Sequence, residues 1–241
     1  FADALSLAQD LGYAERDPSA DVEGHDACRK ICILAALAFG KHVYPNSVYT
    51  EGITKITSAD IAYANFANCH VKLIGRAKLT DEGKCIATVY PAFVSNDNQL
   101  AHVHGVYNAI NVFGDAIGNV MFYGPGAGKL PTASAVVADI IDCVKHLHAR
   151  KYLSWDDADS SYIADYKDDI VRLYVRLIAK NDRLSVKAKA EQLFGEIKVL
   201  GRNGEQDNEL AFITPFACEK ELDKLLEKLN DCDIISTMRL I

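Results

Sequence analysis

Asp26 and Lys30 stand four residues apart where a polar loop gives way to an apolar stretch, a spacing that puts both side chains on one face of a helix. Just upstream, Glu15, Asp17, Asp21 and Glu23 crowd into a turn-rich segment between Gly12 and Gly24. A lysine beside carboxylates can pass a proton to or from a substrate oxygen, and the carboxylates can bind a cation. The same spacing also describes an ordinary solvated ion pair, contributing about 0.3–0.5 kcal/mol. Spacing alone leaves both readings open.

The elements that must position these residues follow from the apolar pattern. Phe1, Ala4, Leu5, Ala8 and Leu11 form a helical stripe over 1–11, so the chain opens within a helix. Beginning at Phe and not Met, it reads as the carboxyl-terminal part of a longer protein. A second helix is expected over 26–39, apolar on nearly every face and therefore buried, with Gly40 as its stop. A short extended piece begins at Glu51-Gly52, and Ser58 is the expected N-cap of a helix over 59–67, ended by Asn68. Strands are expected over 71–78 and 85–94 around Asp81-Glu82-Gly83, and again over 102–113 and 118–124. A glycine-rich loop then leads to a helix from Pro131 to about Arg150, whose free N–H groups favour an anion.

Beyond the small, acidic segment Ser154–Ser161, which reads as a linker, the pattern changes. It gives strand (169–179), helix (184–194), two strands (196–201 and 208–214), helix (218–230) and strand (232–240). That β-α-β-β-α-β order is a split-βαβ, ferredoxin-like unit. The expected fold is therefore α+β.

Composition narrows the function classes. The 241 residues are 49% apolar and 24% charged, the balance of a globular protein, with a net charge of −7. The absence of a long basic run argues against nucleic acid or an anionic membrane as partner. No apolar stretch approaches the ~20 residues needed to span a bilayer, and no secretory signal pattern opens the chain. Seven scattered cysteines, none in Cys-x-x-Cys, fit reduced core thiols of a cytoplasmic protein.

Other motifs are weaker. The run Gly124-Pro-Gly-Ala-Gly128-Lys129-Leu130-Pro-Thr132 tempts a phosphate-loop reading, but it has one residue too few and Leu130 stands where a Mg²⁺-binding hydroxyl belongs. It also lacks the βαβ context of a dinucleotide fingerprint. His102 and His104 alternate on an expected strand, with no third ligand spaced to complete a metal site. The lone Trp155 is expected to anchor the linker, and Asn108 is either structural or near the site.

Taken together, Ala8-x-x-x-Gly12-Tyr13-Ala14-Glu15, Asp17-Pro18, Asp21-Val22-x-Gly24-x-Asp26 and Lys30 resemble the signature of the homoserine dehydrogenases. Ala38-Phe39-Gly40, Glu51-Gly52-Ile53, Gly105-Val106-Tyr107-Asn108-Ala109 and Phe122-Tyr123-Gly124-Pro125-Gly126-Ala127-Gly128 are similar to the same family. The likeness is strong to about residue 150 and general beyond.

The resemblance implies NAD(P)-dependent interconversion of L-homoserine and L-aspartate 4-semialdehyde by a cytoplasmic homo-oligomer. It implies a mixed-sheet catalytic domain over 1–153 that binds substrate and dimerises, a linker over 154–167, and an ACT-like regulatory domain over 168–241 with L-threonine as effector. Lys30 matches the catalytic lysine; Glu15 and Asp26 match carboxylates that hold the amino-acid substrate, and Asp21 a further acidic position. Gly128 and Thr132 match cofactor contacts. Family members carry their dinucleotide-binding domain, a second lysine and a monovalent-cation loop upstream, so this stretch alone is expected not to turn over. One departure concerns the turn Asn181-Asp182-Arg183-Leu184, which lacks the glycine that ACT effector sites use. That leaves dimer contacts as an alternative role for the domain. A non-catalytic amino-acid sensor on the same scaffold is the rival reading, followed by a phosphate-loop nucleotidase.

Overall fold

The computed structural model describes residues 2–149 and 154–241. In chain order the elements are α1 (Ala2–Asp10), α2 (Ser19–Val22), α3 (His25–Phe39), β1 (Tyr49–Thr50), α4 (Ser58–Phe66), β2 (Cys69–Leu79) and β3 (Cys85–Ser95). There follow β4 (Tyr107–Gly114), β5 (Gly118–Pro125), α5 (Lys129–Lys145), β6 (Ile170–Val171) and β7 (Leu173–Ala179). The last are α6 (Arg183–Phe194), β8 (Lys198–Leu200), β9 (Glu209–Ile213), β10 (Ala217–Cys218), α7 (Glu219–Leu226) and β11 (Cys232–Leu240).

By contacts the chain divides into two units, Phe1–Pro18 with Asn98–Ser154, and Ser19–Asp97 with Trp155–Ile241. The second unit holds a seven-stranded mixed sheet in the order β1-β3-β11-β7-β9-β8, with β2 on the other edge of β3. Residues 85–94 of β3 are buried throughout, as befits a strand paired on both edges and covered on both faces. Along one edge β3 meets β2 antiparallel; along the other it meets β1 and then β11, both parallel. The register Arg239↔Ala92 and Leu240↔Phe93 joins the expected C-terminal segment to the expected N-terminal one in a single sheet. This keeps residues 168–241 in one compact unit with Ser19–Asp97.

Within that sheet, β8-β9-β7-β11 are antiparallel neighbours with α6 and α7 between them in sequence, the β-α-β-β-α-β order of the sequence pattern. Leu173, Val175, Leu177, Leu210 and Phe212 pack against Val186, Ala190, Leu222 and Leu226 of the two helices. On α3, Cys28, Cys32 and Ala35 pack with Ala87 and Val89 of β3. Met238, Phe93 and Tyr174 close over Tyr63 and Ala64 of α4.

The first unit contains α1, the β4–β5 hairpin and α5. No residue of α5 is buried, and Phe113, Phe122, Ile140 and Val144 are exposed.

Several local expectations are corrected. Helix α3 is buried on one face only: Ile33 and Leu37 are exposed, because the sheet covers just one side of it. Thr57, not Ser58, caps α4, since its hydroxyl and the Asp60 carboxylate close a capping box. His102 ends a 3-10 turn seeded by the Asn98 side chain, which accepts from Leu100 N–H at 3.0 Å, and the strand starts only at Tyr107. Helix α5 starts at Lys129 and ends at Lys145; Arg150 lies outside the described residues. Trp155 is exposed but stacks its ring on His42, with centroids 6.5 Å apart, and the segment is held further by backbone bonds of Asp156, whose N–H donates to Gly40 O and whose carbonyl accepts from His42 N–H.

Candidate active site

Gly24 makes the turn that launches α3. Its φ of 79° is left-handed, and a Cβ there would press on Val89 and Thr50 side chains at 3.2 and 3.3 Å. The helix begins at His25, so Asp26 falls in its first turn, where a carboxylate meets the positive end of the helix dipole. One turn on, Lys30 Nζ lies 2.6 Å from Asp26 Oδ2. The side chains are 57% and 42% exposed, so the pair contributes little to stability and is open to a ligand. The opposite face of α3 carries Cys28, Cys32 and Ala35 into the core, which fixes where the pair points.

A second strand of chain grips the turn before α3. Ile53 N–H donates to Val22 O at 2.8 Å, and Glu51 N–H donates to Val89 O at 2.8 Å. Gly52 sits so close that a Cβ would fall 2.2 Å from Val22 O and 2.5 Å from Glu23 Cα. Beside this junction lies a cavity of about 240 Å³ lined by Glu23, His25, Tyr49, Glu51, Thr54 and Lys55, among others. The Tyr49 hydroxyl donates to Glu51 Oε2 at 2.9 Å. Burial pushes that hydroxyl's pKa up, and the neighbouring Glu51 carboxylate adds to the shift.

Asp21 lies on α2, exposed, one turn of chain before Gly24. Glu15, Gly128 and Thr132 belong to the other unit. Glu15 is exposed and its carbonyl accepts from Gln9 Nε2 at 2.9 Å. Gly128 is the N-cap of α5 with φ 117°, and no side chain caps the helix there. Thr132 N–H donates to Gly128 O at 3.1 Å, and its side chain is exposed. Asn108 packs its amide against Gly126, where a Cβ would fall 2.0 Å from it. Among the described residues no group of three or more His, Cys, Asp or Glu could hold a metal ion.

Of the expected residues, then, the structure joins Asp26 and Lys30. The sequence reading missed Tyr49 and His25 as cavity residues. The signal that could have found this side was Glu51-Gly52, a glycine where backbone meets backbone.

Fold and site define an α+β protein on a mixed sheet that presents a carboxylate–lysine pair from the start of a helix. The family model described as homoserine dehydrogenase matches residues 1–141. A homoserine dehydrogenase of Neisseria gonorrhoeae is 37% identical over 259 residues, covering 98% of this chain and 57% of that protein. One from Pseudomonas aeruginosa is 49% identical over 145 residues, covering 60% of this chain and 33% of that protein. The crystal structure of a homoserine dehydrogenase from Thiobacillus denitrificans superposes with a TM-score of 0.82 at 32% identity, covering 100% of this chain and 58% of that one. The chain belongs to the homoserine dehydrogenase family. It spans 33% to 57% of the curated relatives named here.

Proposed function

We propose that this chain is the substrate-handling part of an NAD(P)-dependent oxidoreductase interconverting L-homoserine and L-aspartate 4-semialdehyde, a step of amino-acid biosynthesis toward threonine, methionine and isoleucine. The observation that carries the reading is the Asp26–Lys30 pair at 2.6 Å, inside the stretch matched by the family model.

In this mechanism Lys30 exchanges a proton with the substrate oxygen. As an ammonium it donates to the carbonyl oxygen during reduction, and as an amine it accepts the hydroxyl proton during oxidation. Asp26 holds Lys30 in place, and Asp26 and Asp21 supply negative charge for the substrate's ammonium; for Glu15 the same role rests on the family resemblance alone. The chemistry a bound NAD(P) would supply is hydride exchange with the substrate carbon. Gly128 offers backbone without a side chain, and the first turn of α5, capped by no side chain, leaves N–H groups for a polar part of the cofactor, with the Thr132 hydroxyl nearby in sequence.

The functional division follows 1–153 for the catalytic domain, 154–167 for the linker and 168–241 for an ACT-like regulatory domain. The antiparallel order β8-β9-β7-β11 supports the last; its role is either to take L-threonine as effector or, since the turn Asn181-Asp182-Arg183-Leu184 lacks a glycine, to make dimer contacts. Exposed Phe113, Phe122, Leu130, Ile140 and Val144 support a homo-oligomer. A cytoplasmic location agrees with the free thiols, and among the described residues no helix is long and apolar enough to cross a membrane.

The test is L-homoserine-dependent NAD(P) reduction by the complete gene product, beside its Lys30→Ala variant. We expect activity, and a variant slower by roughly 10²–10⁴-fold. An active enzyme with an unaffected variant would remove Lys30 from the chemistry. A protein that is silent yet binds an amino acid would be the sensor instead.

A further inference from the structure

Arg239 is a buried cation with an unusual set of neighbours. Its guanidinium takes the Glu219 carboxylate side-on, with Nε donating to Oε2 at 2.8 Å and Nη2 to Oε1. Three tyrosine rings surround it: Tyr90 at 4.3 Å, Tyr49 at 5.2 Å and Tyr166 at 5.3 Å from the guanidinium carbon. Tyr49 and Tyr166 also stack on each other, with centroids 4.2 Å apart. Arg239 stands on β11 and Glu219 opens α7, so both belong to the β-α-β-β-α-β part of the sheet.

Tyr49 carries this cluster outward. Its ring is held by Arg239 and Tyr166, and its hydroxyl holds Glu51 at 2.9 Å. Glu51 precedes Gly52, whose backbone has no spare room against Val22 and Glu23, and Ile53 N–H holds Val22 O. The next residues are Gly24 and the start of α3. Between Glu51 and the residues leading into Asp26 the contact is backbone on backbone, at Gly52 against Val22 and Glu23.

We propose that Tyr49 is a positioning residue, which through Glu51 and Gly52 sets the turn at 22–24 and so the placement of Asp26 and Lys30 from the Glu219–Arg239 pair. The inference rests on the reading above for its kinetic consequence, but not for its structural one. Rigid contacts carry it: aromatic stacking, a bidentate ion pair and a backbone-to-backbone approach without slack. It gives the β-α-β-β-α-β part of the sheet a physical route to the start of α3.

The test uses Tyr49→Phe in the complete gene product. This variant keeps the ring, the stack and the cation–π contacts, and removes only the hydrogen bond to Glu51. Amide hydrogen exchange over residues 20–26 should quicken, and the KM for L-homoserine should rise about tenfold, the effect of one charge-assisted hydrogen bond. Turnover at saturation and the KM for NAD(P) should stay within about twofold, since the residue acts on placement and not on the reacting atoms. Glu51→Ala should reproduce both changes. Glu51→Gln, which can still accept from Tyr49, should stay close to the wild type in both. Unchanged exchange in Tyr49→Phe and Glu51→Ala overturns the proposal, as does changed exchange with an unchanged KM. If the wild type does not oxidise homoserine at all, the functional reading fails by itself, and the exchange data still decide whether Tyr49 sets the turn.

Discussion

The Tyr174 hydroxyl donates a 2.9 Å hydrogen bond to Asp60, a carboxylate with no exposed surface on a helix 114 residues earlier in the chain. Asp60 is held from a second side by Thr57, its capping-box partner, and lies 3.5 Å from Arg176 Nη1. Tyr174→Phe would leave one lone pair of a buried carboxylate unmet. We expect a loss of about 1–3 kcal/mol, read as a lower urea midpoint at constant m-value. A midpoint within error of the wild type would mean that the bond contributes nothing net.

The neighbouring Glu209 gives an acid limb to stability. Burial pushes its carboxyl up, but hydrogen bonds from Arg202 and Arg176 outweigh this and hold the pKa below the ordinary glutamate value. A depressed folded pKa stabilises above the unfolded pKa and ceases to do so as pH falls through the folded one. Glu209's contribution should thus be complete at neutral pH and fade below the ordinary glutamate range. Glu209→Gln should be less stable at pH 7, and its penalty should shrink in melts taken at successively lower pH.

Gly52 tolerates no side chain. In Gly52→Ala the new methyl meets carbonyl and Cα atoms, not a flexible tip, so the turn before α3 must shift. A misplacement on the ångström scale costs on the order of 10²-fold in catalysis. We expect that loss in kcat/KM for homoserine, with Tm measured alongside. Gly83→Ala, where a Cβ meets nothing within 4 Å but φ is 74°, is the control for backbone strain alone.

Thiol chemistry should separate core from surface. Burial, with Cys28 alongside, pushes the Cys32 thiol up to about 12, and burial takes Cys85 to about 11. Neither forms appreciable thiolate at pH 8. Alkylation followed by mass spectrometry should leave both unmodified in the native protein and label both in urea. Native labelling of either would mean that the α3–β3 core opens locally.

Much of this architecture is legible because it is local. The α6, β9 and β11 boundaries lie within a residue or two of the hydrophobic pattern, and Gly40 stops α3 in a left-handed cap as its position suggests. The Asp26–Lys30 pair follows from helical spacing once α3 exists. What the pattern could not reveal is long-range. The pairing of Arg239 with Ala92 leaves no local mark, because β3 reads as one apolar run whichever strand lies beside it. Exposure of Ile33 and Leu37 is hidden for the same reason: apolar residues announce a wish for cover, not the presence of it. His102 was misplaced because a single Asn side chain outbid strand alternation.

The parallel contact between β3 and β11 also sets a timetable. Its partners are about 150 residues apart in the chain, so during synthesis the end of β3 beyond its pairing with β1 must wait unfilled on that edge for roughly 7–30 s. Over that interval an apolar strand with open N–H and C=O groups is a template for any other extended chain nearby. Nascent chains stalled or truncated before β11 should therefore depend on chaperones far more than those that contain it, and yield on expression should fall steeply when residues 232–241 are missing.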